Sequence, residues 1–238
     1  GPVECEAAQS GVAIFLEKPI ALSSLAAAEI LGVVEQYDTL TPVGYMNRYR
    51  SSVQRAKQLS VELGVLGLAC HWVGNAYRVP WWGQRNMSGG QLNEQCTHFI
   101  DLIRHFCGEV VEVAAMAKPS SPDAEIDVDE SAAALFRTRE GVLATMFASC
   151  AAETKQIDLQ VFTPNRAICL DGWDLVLRDE AGLEEADPFT TEAEAFLKAV
   201  RTGDRSLIQS DLRNTIRTQR VIAALLKDTT SGGWVEVN

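Results

Sequence analysis

Positive charge is scarce in this 238-residue sequence: lysine and arginine total 21 against 32 acidic residues, a net charge of −11. No lysine- or arginine-rich stripe offsets that deficit, which excludes a nucleic-acid backbone as the main partner. Long apolar runs are also lacking. The longest, Ala21 to Val34, is interrupted by Ser23, Ser24 and Glu29 and falls short of a bilayer span. The six cysteines (Cys5, Cys70, Cys96, Cys107, Cys150, Cys169) form no C-x-x-C pair, and most sit in apolar stretches such as Leu68-Ala69-Cys70. They read as reduced, buried thiols of a cytoplasmic protein rather than a disulfide framework. No signal peptide and no initiator methionine opens the chain, and Gly1-Pro2 reads as the scar of a cleaved tag. What is present is an ordinary globular balance, 47% apolar and 22% charged, which excludes disorder as the dominant state.

Val12 to Leu16 is an apolar run fit for a buried strand. Ser23 or Ser24 then caps a helix to about Tyr37, and Thr41 to Tyr49 reads as a second strand. This strand–helix–strand order is one crossover of an α/β sheet. Ser51 to Leu63 is a further helix, and Gly64 to Val79 is extended. A loop follows, bracketed by Pro80-Trp81-Trp82-Gly83 and Ser88-Gly89-Gly90, and Gln91 to Cys107 is the clearest helix of the chain. Six extended segments come next: Val110 to Ala117, Ser131 to Thr138, Val142 to Ala151, Gln156 to Thr163, Ala167 to Leu170 and Asp174 to Arg178. Turn material separates them, including Pro119 to Asp123, Thr163-Pro164-Asn165 and Asp179 to Gly182, and links this short favour antiparallel pairing. Helices over Glu192 to Arg201 and Asp211 to Lys227 and a short strand at Trp234 to Val237 close the chain.

On the wheel of the Gln91 to Cys107 helix, Leu92, Cys96, Phe99, Ile103, Phe106 and Cys107 form a core face. Glu94, His98, Asp101 and His105 share the opposite side. Periodicity alone favours a solvated stripe there. Turned towards a cleft, the same stripe is an acid/base array, since a carboxylate near an imidazole tunes proton transfer close to neutral pH. The upstream glycines, with Trp81 and Trp82, suit close approach of a hydroxyl-rich ligand as well as they suit a turn with two core anchors.

Glu17-Lys18-Pro19 between strand and helix, followed far downstream by Gly89-Gly90-x-Leu92-x-Glu94-x-x-x-His98-x-x-Asp101, resembles the Gfo/Idh/MocA family of NAD(P)-dependent oxidoreductases. Ala7 to Gly11, Gly44 to Tyr49 and the closing Gly232 to Val237 fit the same pattern. The resemblance implies an α/β (α+β) protein. Residues 1–48 would be the remnant of a dinucleotide-binding Rossmann domain, and 49–238 a substrate-binding and oligomerisation domain with a large, mostly antiparallel open sheet and helices on one face. It implies Lys18, His98 and Glu94 as catalytic residues, with His98 taking the proton of a substrate hydroxyl. Glu94 stands where the family commonly has aspartate, and Cys96 where it often has glycine. Trp81, Trp82, Gly90, Asp101 and Tyr45 are the substrate-binding candidates, and Glu17, Lys18 and Pro19 lie at the cofactor. No metal is implied.

The glycine-rich fingerprint of a dinucleotide site is absent from the sequence, and Gly64-Val65-Leu66-Gly67 is not one. Most of the Rossmann half is therefore expected to lie outside the chain, which by itself would bind NAD or NADP weakly or not at all. Three readings follow. The first is hydride transfer between NAD(P) and a small polyol, sugar or cyclic alcohol. The second is a cofactor-independent lyase, isomerase or cyclase reusing Lys18, Glu94 and His98. The third is a non-catalytic dimerisation module. Expected partners are a small-molecule substrate and further copies of the chain through the sheet, with no nucleic acid and no membrane. All enzymatic readings require Lys18 and His98 to meet across one hollow.

Overall fold

The computed structural model describes residues 1–121, 125–180, 182–184, 186–228 and 233–238. The turn residues Pro122, Asp123 and Ala181, and Gly232 of the closing segment, lie outside that set. The chain opens with α1 (Pro2–Gln9) and an extended stretch, then α2 (Ser24–Gln36). Ser23 caps α2 by accepting a hydrogen bond from Ala26 N at 3.2 Å. The two strands expected around α2 are only partly formed. Leu16 bridges in parallel to Val43, with Gly44 N donating to Leu16 O at 2.8 Å, but Met46–Tyr49 then closes into a 3-10 turn. On its other side this segment is held by the stretch before α8, where Pro42 bridges antiparallel to Asp211 and Val43 N donates to Ser210 O at 2.9 Å, so the pairing stops at a single bridge on each side.

From there run α3 (Ser51–Leu63), β1 (Gly67–Asn75), two single-turn helices α4 (Arg85–Ser88) and α5 (Gln91–Glu94), and α6 (Thr97–Cys107). The strands β2 (Val110–Pro119), β3 (Asp129–Thr138), β4 (Leu143–Ser149), β5 (Ala151–Phe162), β6 (Ala167–Asp171) and β7 (Val176–Leu177) follow. Then come α7 (Pro188–Thr202), α8 (Leu212–Asp228) and β8 (Val235–Glu236). The eight strands make one sheet in the order β7-β6-β5-β1-β4-β3-β2-β8. Only β1 and β4 run parallel; every other pairing is antiparallel. The parallel pair forces a long crossover from β1 to β4, and that crossover carries α5 and α6 across one face of the sheet.

Alternation along the strands divides the two faces. Leu68, Cys70 and Trp72 of β1, Ala134 and Phe136 of β3 and Met146 of β4 are buried under the helices with Phe99, Ile103 and Leu225. On the other face Met116, Leu135 and Phe147 stand exposed around a concavity of about 790 Å³. A second apolar cluster joins the N-terminal segment to α8 through Leu16, Ile30, Val34, Val43, Leu212 and Ile216. The six cysteines are free thiols, five of them buried. Among the described residues no helix is long and apolar enough to cross a membrane.

Candidate active site

The expected single helix from Gln91 to Cys107 is broken at Gln95–Cys96 into α5 and α6. The expectation of a wet stripe also fails. Glu94, His98 and Asp101 are buried and His105 is half-buried, because α8 and α3 pack over the side that the wheel left polar. The stripe is an internal polar layer, and its members have separate partners.

Lys18 sits just beyond the Leu16–Val43 bridge, and the Lys18–Pro19 peptide is cis. Its Nζ donates to Glu94 O at 2.8 Å and to Glu94 Oε1 at 3.0 Å. The other carboxylate oxygen, Oε2, accepts from Trp82 Nε1 at 2.8 Å. Trp82 is fully buried, so its indole fixes Glu94 from behind while Lys18 holds it from the front. Gly89 and Gly90 adopt positive φ at the turn into α5, and this left-handed pair sets Glu94 against Lys18.

His98 lies one turn past Glu94, on the first turn of α6. Its ring stacks on Trp72 of β1 at 6.3 Å and 11°, and meets the edge of Tyr45 at 5.9 Å. Among the described residues no hydrogen bond reaches this imidazole, and Nδ1 is buried without a partner. Burial, helped by the positive charges of Lys18 and Arg50, pushes its pKa well below the usual histidine value. The ring is therefore neutral at pH 7 and free to accept a proton. Gln91 and Gln95 add further buried amide atoms without partners on the same segment, the kind of orphaned polar group that a bound ligand satisfies.

Other candidates are placed elsewhere. Asp101 gives both carboxylate oxygens to Arg48, each at 2.7 Å, and also accepts from Thr218, so it is an internal latch and not a free group at the hollow. His105 belongs with Lys57, which donates to its carbonyl. Tyr45 shares its hydroxyl with Thr97 Oγ1 at 2.6 Å and meets His98 only through its ring. Trp81 is 41% exposed at the loop surface, unlike its neighbour Trp82. Glu17 lies exposed beside Gly44, where a Cβ would stand 2.8 Å from its Oε2. Sequence reading missed Arg50 and Trp72. Arg50 is buried, donates to Asp174 O at 3.1 Å and places its charge near His98. Nothing in the local pattern marks either residue, because each reaches the site from an element remote in sequence.

An ammonium, a carboxylate held in two directions and a neutral imidazole can bind a hydroxyl, remove its proton and stabilise the resulting oxyanion. No glycine-rich strand–turn–helix for a pyrophosphate occurs among the described residues.

Residues 63–168 match the family model described as the GFO/IDH/MocA C-terminal domain. The chain is 27% identical over 248 residues to an uncharacterised protein of Schizosaccharomyces pombe, covering 89% of this chain and 61% of that protein. It is 30% identical over 118 residues to the 2,7-anhydro-N-acetylneuraminate hydratase of Escherichia coli, covering 47% of this chain and 31% of that enzyme. It therefore spans less than two thirds of these curated relatives. Among solved structures, an aldose-aldose oxidoreductase from Caulobacter crescentus complexed with glycerol superposes with a TM-score of 0.88 at 18% identity, over 99% of this chain and 75% of that one. A levoglucosan dehydrogenase in complex with NADH superposes with a TM-score of 0.87 at 18% identity, over 100% and 76%. At such identities the likeness is one of fold. It reproduces the open, mostly antiparallel sheet that backs Lys18, Glu94 and His98, and residues 63–168 of that sheet and its helices match the GFO/IDH/MocA C-terminal domain.

Proposed function

We propose that this chain supplies the substrate wall and the proton-transfer groups of an NAD(P)-dependent oxidoreductase acting on a hydroxyl or keto carbon of a small polyol, sugar or cyclic alcohol. The observation that carries the reading is the convergence of Lys18 on Glu94, one turn from an imidazole whose ring has no hydrogen-bond partner. His98 accepts the hydroxyl proton as the alcohol is oxidised and returns it in the reverse direction. Lys18 stabilises the oxyanion, and Glu94 positions Lys18 while Trp82 positions Glu94. Lys18 and Glu17 would lie at the nicotinamide end of NAD(P), which would supply the hydride acceptor for the carbinol carbon. In this reading residues 1–48 serve the cofactor and 49–238 the substrate, and the bare apolar face of the sheet joins a second copy of the chain.

Replacing His98 by Gln tests the mechanism in the protein that carries this chain, with NAD or NADP and a panel of small polyols and sugars. The expected loss of kcat/KM is about 10²- to 10⁴-fold; turnover within a factor of about three of the parent would reject the role. A second reading has support from the E. coli relative, whose name is that of a hydratase. The same three side chains would then catalyse addition or elimination of water at a sugar. Turnover that persists after all nicotinamide is removed, and is lost in His98→Gln, would select it.

A further inference from the structure

Outside Lys18, Glu94 and His98 lies a set of exposed rings that the proposed mechanism does not use. Trp173, in the hairpin between β6 and β7, meets the edge of Trp72 at 5.4 Å and 84°, and Trp72 is the ring on which His98 stacks. Tyr77, just past β1, makes an edge contact with Trp82 at 6.0 Å, and Trp82 is the indole that holds Glu94. Each outer ring is thus one contact away from a residue that positions the chemistry. Both are more than a third exposed, at 39% for Trp173 and 38% for Tyr77. Lys155 of β5 lies between them, its Nζ 4.9 Å from the Trp173 ring centre and 5.6 Å from that of Tyr77.

Three features argue that this cation is placed. A Cβ on Gly74 would stand only 3.3 Å from Lys155 Cγ, so the bare backbone of β1, where its register with β5 shifts, makes room for the lysine stem. The hairpin that carries Trp173 is tied down by Arg50, which donates to Asp174 O and Asp174 Oδ1. And in a chain of net charge −11, Lys155 has no ion-pair partner among the described residues; its contacts are with rings alone. An ammonium over aromatic faces keeps part of its hydration and its full charge for an incoming anion.

The geometry points to Tyr77, Lys155 and Trp173 as a recognition rim for an acidic sugar, a pyranose bearing a carboxylate or phosphate group. The apolar face of the pyranose lies against the exposed rings, its anionic group meets Lys155, and its reacting hydroxyl points inward to His98. This deepens the function proposed above and rests on it for the inward orientation only.

Binding of D-glucuronate, glucose 6-phosphate and the neutral methyl α-D-glucopyranoside to this chain, followed by calorimetry and by quenching of tryptophan fluorescence, tests the rim. At least one acidic sugar should bind tenfold or more tightly than the neutral glycoside, and which one does so identifies the anion. Lys155→Met should abolish that preference, Lys155→Glu should reverse it, and Trp173→Ala should weaken all three sugars. Equal binding of acidic and neutral sugars, no binding of any, or a preference that survives Lys155→Met would overturn the proposal. His98→Gln separates the two ideas. A preserved acidic preference in a variant that turns over normally supports the rim and rejects the proton-transfer role, whereas an inactive variant in a protein without the preference does the reverse.

Discussion

Glu192, at the start of α7, is a buried carboxyl in a poor setting. Its Oε1 has no partner, and Glu17 faces it with a like charge. Burial first, and Glu17 second, raise its pKa from 4.5 to about 8. A carboxyl raised on folding binds its proton more tightly in the native state, so its contribution is complete below pH 4.5 and falls away as pH rises towards 8. Glu192→Gln should therefore match the parent in Tm near pH 4.5 and exceed it at pH 8. A gain of the order of 2 kcal/mol corresponds to roughly 4–8 °C by calorimetry at the two pH values. His98 has the opposite sign: its lowered pKa makes stability fall as pH drops below 6.5. Trp82 gives a third expectation. Trp82→Phe keeps the ring but deletes the donor to Glu94 Oε2, costing about 1–3 kcal/mol in stability. Because Glu94 also orients Lys18, kcat should drop about tenfold while KM changes little, in steady-state assays. The residue types at Lys18, Glu94 and His98 were legible in the sequence, whereas the pairing of Lys18 with Glu94 came only from the fold. The indole that locks Glu94 was legible only as one of two equivalent tryptophans, since local pattern cannot separate the buried Trp82 from the exposed Trp81.

The break between α5 and α6 matters more than the helical wheel suggested. A straight helix would have kept Glu94 in the register of His98, Asp101 and His105; the interruption at Gln95–Cys96 frees Glu94 from that register, while the other three stay on one continuous α6. Asp101 then closes a polar latch among the 3-10 turn, α6 and α8 through Arg48 and Thr218, with Arg104 at 3.9 Å. Asp101→Ala would leave Arg48 buried without its carboxylate, at a cost of about 3–5 kcal/mol, so Tm should fall by at least about 6 °C. Substrate affinity in any surviving folded fraction should be near normal if the latch is structural, and equilibrium binding measures that separately. The elements themselves were largely readable: the Ser23 cap and the turn material between strands located most helices and strands to within a few residues, while α7 begins four residues before Glu192, behind an Asp187 cap that sequence reading passed over. The short strands flanking α2 were not, because each of their pairings is a single bridge to a segment remote in sequence.

One face of the eight-stranded sheet is covered by helices and the other is bare. Met116 is 77% exposed there, and Leu135 and Phe147 are each 46% exposed around the broad concavity. An apolar surface of this kind calls for a cover, and the function proposed above assigns that cover to a second copy, which would present the same surface in return. Leu135→Lys combined with Phe147→Glu should convert an oligomer to a monomer by light scattering. The fold should survive, since neither side chain contributes to the buried core; an unchanged mass would show that this face does not hold the assembly.

Local chemistry settled much about this protein: the acidic balance, the free thiols, the positions of most strands and helices, and the residue types able to move a proton. Those properties depend on neighbours within a turn or a strand, which a linear pattern encodes. Contacts across the chain settled the rest. Lys18 meets Glu94 across 76 positions, Arg48 meets Asp101 across 53, and Trp72 reaches His98 because the parallel pairing of β1 with β4 swings α6 over the sheet. Which polar groups lie at a hollow and which are sealed inside a latch depends on packing from both sides of α6, and only the assembled fold supplies it.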